Sequence, residues 1–313
     1  MNIVYLFPGQ GAQTPGFLSR LPAHPEVTRT LGEAREVLGA DSDALDSEAS
    51  LAGTLGVQLS GLIAGVAVAR ALAALGVHAD AVAGLSSGAF TAAVACGTLS
   101  FEQALPLVRL RAEAMQQAYP RGYGLVALVG LDESQVGRLV AGIHSPATPL
   151  YIANLNARTQ IVLAGSDAAL ERALPAARER GARHAQRMAV SVPSHCELMA
   201  PVADTLQRAL AALPLQRPRV PYIGNVHARA LRDVEGIRED LASNVAHTVR
   251  WHDGMTVLYE RGIRTFFEMP PGATLTGIVR ESFDDVGDVR ARAIADTPLE
   301  TIVYLAQRAG EAS

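Results

Sequence analysis

Lysine is missing from this chain: every one of its 27 basic side chains is arginine. That absence excludes lysine Schiff-base chemistry, a P-loop lysine and a Ser-Lys catalytic pair. Cysteine is nearly absent too. Cys96 and Cys196 are the only two in 313 residues, too few for a disulfide framework and without metal-site spacing, so no metal is expected. Excess charge is also small. A formal net charge of -4 leaves no electrostatic footprint for nucleic acid or an anionic membrane. The opening MNIVYLFPGQ has no basic n-region and no cleavage-site pattern, so no signal peptide is expected. The least charged run, Ala49 to Ala69, is diluted by Ser50, Gln58, Ser60 and four glycines, which suits a buried core helix rather than a membrane span. A cytoplasmic protein is the expectation.

What is present is apolar bulk. Hydrophobic residues make up 49% and charged residues 19%, enough for a sizeable core, and the length suits about two domains or one domain with an insertion. Ile3 to Phe7 (IVYLF), stopped by Pro8-Gly9, reads as a buried first strand. Helical patterns follow in HPEVTRTLGEAREVL and VQLSGLIAGVAVARALAAL. Then come a strand in AVAGLS, a helix in SGAFTAAVACG and another in FEQALPLVRLRAEAMQQAY, with Pro106 close to its first turn. Strands separated by helices predict an α/β fold, a mostly parallel sheet with helices on both faces. From Tyr123 the rhythm changes. LVALVGL, ESQVGRLVAG, LYIANLNA, QIVLAGS, DAALERALPAARERG and RHAQRMAV read in order as βαββαβ, the split βαβ unit of a ferredoxin-like subdomain. The expected division is therefore a large core from 1–122 and 190–313, with 123–189 as an insertion. VPYIGNV and TFFEM read as core strands, and Trp251 to Glu260 as a helix.

The stretch AVAGLSSGAF sets Ser86 in the spacing Gly84-x-Ser86-x-Gly88 between an apolar strand and a helix. A nucleophile on a sharp strand-to-helix turn has this pattern, and so does a plain turn built from small residues. Near a helix N-terminus, backbone N–H groups and the helix dipole favour developing negative charge. A serine hydroxyl needs a base, and with lysine absent histidine is the natural choice. Of the eight histidines, His24, His78, His144 and His184 sit in polar, loop-like surroundings, and His227, His247 and His252 in mixed segments. His195, in MAVSVPSHCELM, follows a strand and stands near Pro193, where an ordered loop would hold it at a sheet end. FPGQGAQ, Phe7 to Gln13, departs from the dinucleotide fingerprint because Thr14 stands where the last glycine belongs; its amides could instead form half of an oxyanion hole. Arg109 and Arg111 lie two apart on one helix, so at most one points inward, and both solvated remains open.

Four separated pieces, FPGQGAQ, GLSSG, RLRAEAMQQA and VSVPSHC, together with LASNVAHTVRW and FFEMPPGATLTGIV, resemble the malonyl-CoA:acyl carrier protein transacylases in order over nearly the whole chain. The resemblance implies an α/β-hydrolase-like core carrying a ferredoxin-like insertion. It implies Ser86 as nucleophile, His195 as general base and then acid, and Arg111 as clamp for the malonyl carboxylate. It further implies the Gln10 and Ser87 amides as oxyanion hole and the main-chain carbonyl of Asn244 as the group orienting the histidine. No bound cofactor is implied; the substrates are malonyl-CoA and the prosthetic-group thiol of an acyl carrier protein. The family usually has histidine before the serine and leucine after it, whereas Leu85 and Ser87 stand here. GLSSGAF, LPAHPEV, AYPRGYG and YIANLNA look more like the epsilon subunit of bacterial malonate decarboxylase. That subunit loads a carrier bearing a phosphoribosyl-dephospho-CoA group and belongs to a larger complex. The expectation is this decarboxylase transacylase, with the transacylase of fatty acid or polyketide synthesis as its alternative. Two readings of other classes stand beside them: a lipase- or esterase-type serine hydrolase, for which Asp167 is a conceivable acid although no HGGG loop occurs, and a non-catalytic carrier-docking subunit.

Overall fold

The computed structural model describes residues 2–311. The chain runs through β1 (Ile3–Phe7), α1 (Pro25–Leu38), α2 (Glu48–Leu51), α3 (Thr54–Ala74), β2 (Ala81–Gly84), α4 (Gly88–Ala95) and α5 (Phe101–Ala118). It continues through β3 (Tyr123–Val129), α6 (Glu133–Ile143), β4 (Leu150–Ala157), β5 (Gln160–Ser166), α7 (Asp167–Glu179) and β6 (His184–Arg187). The last stretch holds α8 (Ala200–Ala211), β7 (Tyr222–Ile223), β8 (Ala230–Leu231), α9 (Val234–Ser243), α10 (Trp251–Glu260), β9 (Thr265–Glu268), α11 (Thr274–Ser282), β10 (Arg290–Ala293) and α12 (Leu299–Glu311).

Six strands form one sheet in the order β10-β9-β1-β2-β7-β8, parallel except for β8. β1 is buried on both faces, and its period-2 alternation shows why it is apolar throughout. Ile3, Tyr5 and Phe7 join the cluster beneath α3, α4 and α5, whereas Val4 and Leu6 join the cluster with Trp251, Leu258 and Ile278 on the other face. α3 is long and apolar enough to cross a membrane, yet 72% of its most apolar window is buried inside the fold; its apolarity is that of a central core helix. Capping boxes at Ser100/Gln103 and Asp132/Gln135 start α5 and α6.

A second sheet, β4-β5-β3-β6, is wholly antiparallel and carries α6 and α7 against one face. That order is the ferredoxin-like one. β4 is tied to the main body by Leu155 N–H donating to the Val249 carbonyl at 2.8 Å and Val249 N–H donating to the Ala153 carbonyl at 2.9 Å. Two strands are shorter than their sequence suggests. β6 stops at Arg187, so His195 follows an irregular segment and not a strand directly. β7 keeps two residues of VPYIGNV, because Gly224 and Asn225 leave the sheet to meet other groups. Pro106 sits inside α5, close after its first turn, as expected.

The register that matters most pairs Phe7 with Gly84. Neighbouring parallel strands β1 and β2 therefore end at the same level, and the segments leaving them, Pro8–Gln13 and Leu85–Ser87, lie side by side. In open α/β sheets, ligands bind at this carboxyl edge.

Candidate active site

Ser86 occupies the turn between β2 and α4 with φ +57°, a left-handed conformation uncommon for a non-glycine residue. The flanking glycines are dictated by space. A Cβ at Gly84 would lie 2.0 Å from the Gly88 carbonyl oxygen, and one at Gly88 would lie 2.2 Å from the Phe7 carbonyl oxygen. Both obstacles are backbone, so neither can swing aside. Gly88→Ala is expected to destabilise the protein by about 3 kcal/mol or more, read as a lower urea midpoint; a loss below about 0.5 kcal/mol would contradict this packing.

The first-strand loop lies against that turn. A Cβ at Gly9 would stand 3.0 Å from the Leu85 carbonyl oxygen and 3.5 Å from the Ser86 Cβ. The loop is held by Gln13: its Oε1 accepts from the N–H groups of Gly11 at 2.8 Å and Ala12 at 3.1 Å, and its Nε2 donates to the Gly9 carbonyl at 3.0 Å. Among the described residues, neither the Gln10 nor the Ser87 N–H has an intramolecular acceptor. Ser87 is the N-cap residue of α4, so its amide stands at the positive end of that helix.

His195 is 3% exposed, and its backbone is also left-handed, with φ +64°. Its N–H donates to the Val245 carbonyl at 2.7 Å, its Nδ1 lies 2.7 Å from the Asn244 carbonyl oxygen, and its Nε2 lies 2.8 Å from Ser86 Oγ. A carbonyl oxygen only accepts, so Nδ1 carries the proton and Nε2 presents its lone pair to the serine hydroxyl. Burial pulls the imidazole down to about 3, the positive charge of Arg111 pulls in the same direction, and the bond to Asn244 partly opposes both. The neutral base form therefore persists into acid. The acid limb of kcat/KM for thioester substrates is expected below about pH 5, not near the ordinary histidine value of about 6.5. A pH-rate profile breaking at 6.5 would contradict this environment.

Arg111 points inward from α5 and is fully buried, whereas Arg109 remains partly exposed and pairs with Asp41. Arg111 Nη1 donates to Gln58 Oε1 at 2.7 Å, Nη2 donates to Ser86 Oγ at 3.2 Å, and Nε has no partner among the described residues. Burial lowers its pKa to about 10, which leaves it a cation at neutral pH. No carboxylate pairs with it among the described residues. Since a buried charge needs compensation, this guanidinium is built to receive an anion beside Ser86.

A cavity of about 170 Å³ opens over Ser86 and His195, lined also by Gln10 and Leu85 and by Asn154 and Gln160 of the second sheet, with Arg111 buried behind Ser86. The structure thus brings together Ser86, His195, Arg111, the Asn244 carbonyl and the Gln10 and Ser87 amides. Asp167 is elsewhere, at the start of α7 and paired with Arg187; a carbonyl occupies the place next to His195 that an esterase acid would take. His24 caps α1 and His144 bonds to Leu150, both away from the cavity. Gln58 was missed by sequence reasoning, although one amide in a long apolar helix is a readable signal. Gln13 had no such signal.

A buried serine with its histidine, two unspent amides and an anion-seeking arginine at a parallel-sheet edge suit acyl transfer from an acid-bearing thioester. Residues 4–308 match the Acyl transferase domain family, to which this chain belongs. More narrowly, the chain is a member of the malonyl-CoA:acyl carrier protein transacylase family. It is 35% identical over 291 residues to the malonyl CoA-acyl carrier protein transacylase of Escherichia coli K12, covering 90% of this chain and 93% of that one. It is 34% identical to that of Bacillus subtilis, covering 96% and 95%. Among solved structures it superposes on the Coxiella burnetii malonyl CoA-acyl carrier protein transacylase with TM-score 0.92, 33% identity and 98% of each chain covered. It superposes on the malonyl-transacylase of a type II polyketide acyl-carrier-protein complex with TM-score 0.90, 34% identity, and 98% and 99% covered.

Proposed function

We propose that this chain moves a malonyl group from malonyl-CoA to the thiol of an acyl carrier protein through a malonyl ester on Ser86. The observation that carries the proposal is the buried, carboxylate-free guanidinium of Arg111, 3.2 Å from Ser86 Oγ. Ser86 Oγ attacks the thioester carbonyl while its proton passes to His195 Nε2. The oxyanion accepts hydrogen bonds from the Gln10 and Ser87 amides, each such donor contributing about 3 kcal/mol. The carbon–sulfur bond breaks and the CoA thiolate takes the proton from His195. The carrier thiol then gives its proton to His195 and attacks the ester, returning Ser86 to its starting form. Throughout, the malonyl carboxylate accepts from Arg111, a planar fork matched to two carboxylate oxygens.

The sequence motifs favour the malonate decarboxylase subunit, but the relatives point the other way. They are malonyl CoA-acyl carrier protein transacylases, and a polyketide biosynthesis protein of Burkholderia thailandensis is 36% identical over 284 residues, 24% of its own length. The fatty-acid or polyketide transacylase is therefore the better-supported reading. Presenting the malonyl-enzyme with carriers bearing phosphopantetheine or phosphoribosyl-dephospho-CoA tests it. Faster discharge to the phosphopantetheine carrier is expected; a clear preference for the other prosthetic group would restore the decarboxylase reading.

A further inference from the structure

The turn that carries Ser86 is gripped by a side chain outside the reacting groups. Asn225, 3% exposed and just beyond β7, spans the turn with both ends of its amide. Its Oδ1 accepts from the Ser86 N–H at 3.0 Å, and its Nδ2 donates to the Gly84 carbonyl at 2.9 Å. Asn225 is itself held, because its backbone N–H donates to Asp240 Oδ1 at 2.7 Å. The same oxygen accepts from Val226 N–H at 3.0 Å, and Asp240 Oδ2 accepts from the Tyr222 hydroxyl at 2.7 Å. Burial raises the Asp240 carboxyl above the ordinary carboxylate value, and these donors oppose that rise without cancelling it. Even Gly224 fits the arrangement, since a Cβ there would stand 3.0 Å from Asp240 Oδ1.

Asp240 lies on α9, and one turn later the same helix ends at Asn244, whose N–H donates to the Asp240 carbonyl. Asn244 is the residue whose carbonyl accepts from His195 Nδ1–H. One helical turn therefore reaches both halves of the reacting pair. Through Asp240 and Asn225 it holds the backbone of Ser86; through Asn244 it holds the ring of His195.

We infer that Asn225 is a positioning residue for acyl transfer, anchored by Asp240, and that this turn of α9 sets the distance between Ser86 Oγ and His195 Nε2. The inference rests on the acyl-serine reading above. The Ser86 backbone sits in a disfavoured conformation, and the amide bridge keeps its N–H and the Gly84 carbonyl satisfied in that geometry alone. Misplacing a nucleophile by about 1 Å costs on the order of 10²-fold in rate.

The test uses the full chain and a small fluorophosphonate that modifies reactive serines without needing a malonyl carboxylate. Asn225→Ala is expected to slow Ser86 modification and malonyl kcat by about 10²-fold with KM for malonyl-CoA within about threefold. Asn225→Asp keeps the acceptor for the Ser86 N–H but, when ionised, has no proton for the Gly84 carbonyl. Its rate relative to wild type is expected to recover as pH falls and the new carboxyl protonates, a step pushed upward by the neighbouring Asp240 carboxylate and downward by the Arg111 cation at Ser86, with Tyr222 and His195 also nearby. A purely structural loss would show no such recovery. Tyr222→Phe, which removes one donor to Asp240 with little change of volume, is expected to give a smaller loss of the same kind and keeps the inference testable if Asn225→Ala fails to fold. Folded variants that react with the probe within threefold of wild type would overturn the inference. A wild-type chain left unmodified at Ser86 would overturn the acyl-serine reading beneath it.

Discussion

Arg111→Ala is expected to lower kcat/KM for malonyl-CoA by about 10³-fold while changing transfer from acetyl-CoA less than about tenfold. The argument is one of compensation. Wild-type Arg111 is fully buried with no carboxylate partner among the described residues, so a malonyl carboxylate supplies the missing countercharge and an acetyl group does not. Deleting the guanidinium removes the favourable pairing with one substrate and relieves the unpaired charge facing the other. The two specificity constants therefore converge. Arg111→Lys is expected to rescue little, because a point charge lacks the two-pronged geometry and Gln58 is placed for Nη1. Steady-state kinetics with both thioesters measures this directly. Selectivity for malonyl that survived Arg111→Ala undiminished would remove the arginine from the carboxylate site.

His195→Ala is expected to slow formation of the acyl-serine by roughly 10³- to 10⁴-fold, with thioester binding little changed. Nε2 is the base within reach of Ser86 Oγ, at 2.8 Å, and its tautomer is set by the Asn244 carbonyl. Arg111 Nη2 donates to the same Oγ and so cannot take its proton. Nothing else described around the hydroxyl substitutes for the imidazole. Rapid-quench measurement of the first turnover checks this, and a variant that acylated within about tenfold of wild type would show that another group takes the proton.

Much of this fold was legible because its signals are local. β1, β2 and α3 are apolar for lack of solvent on either side, and Gly84 and Gly88 mark a place where backbones nearly touch. The antiparallel sheet was legible from its βαββαβ order. The C-terminal part was harder. α9 carries Gly236 and four acidic or basic residues in ten, and no element was read there from the sequence, yet Asp240 within it is buried. β7 looked longer because Gly224 and Asn225 continue an apolar run, although they turn away to serve Asp240 and Ser86. The site divides in the same way. Ser86, His195 and Arg111 stood in motifs, and the family resemblance supplied Gln10, Ser87 and Asn244. Gln58, Gln13, Asn225 and Asp240 act through hydrogen bonds spanning up to 141 residues, and no periodicity in the chain encodes such a pairing.

The central claim is that one hydroxyl, presented beside one buried arginine, carries the acyl group. Mixing the enzyme with malonyl-CoA alone, quenching within the first turnover, and mapping the added mass by peptide sequencing tests it most directly. The account predicts a malonyl ester on Ser86, absent from Ser86→Ala and far slower to form with acetyl-CoA. A malonyl group found on any other side chain, or equal loading from the two thioesters, would contradict it.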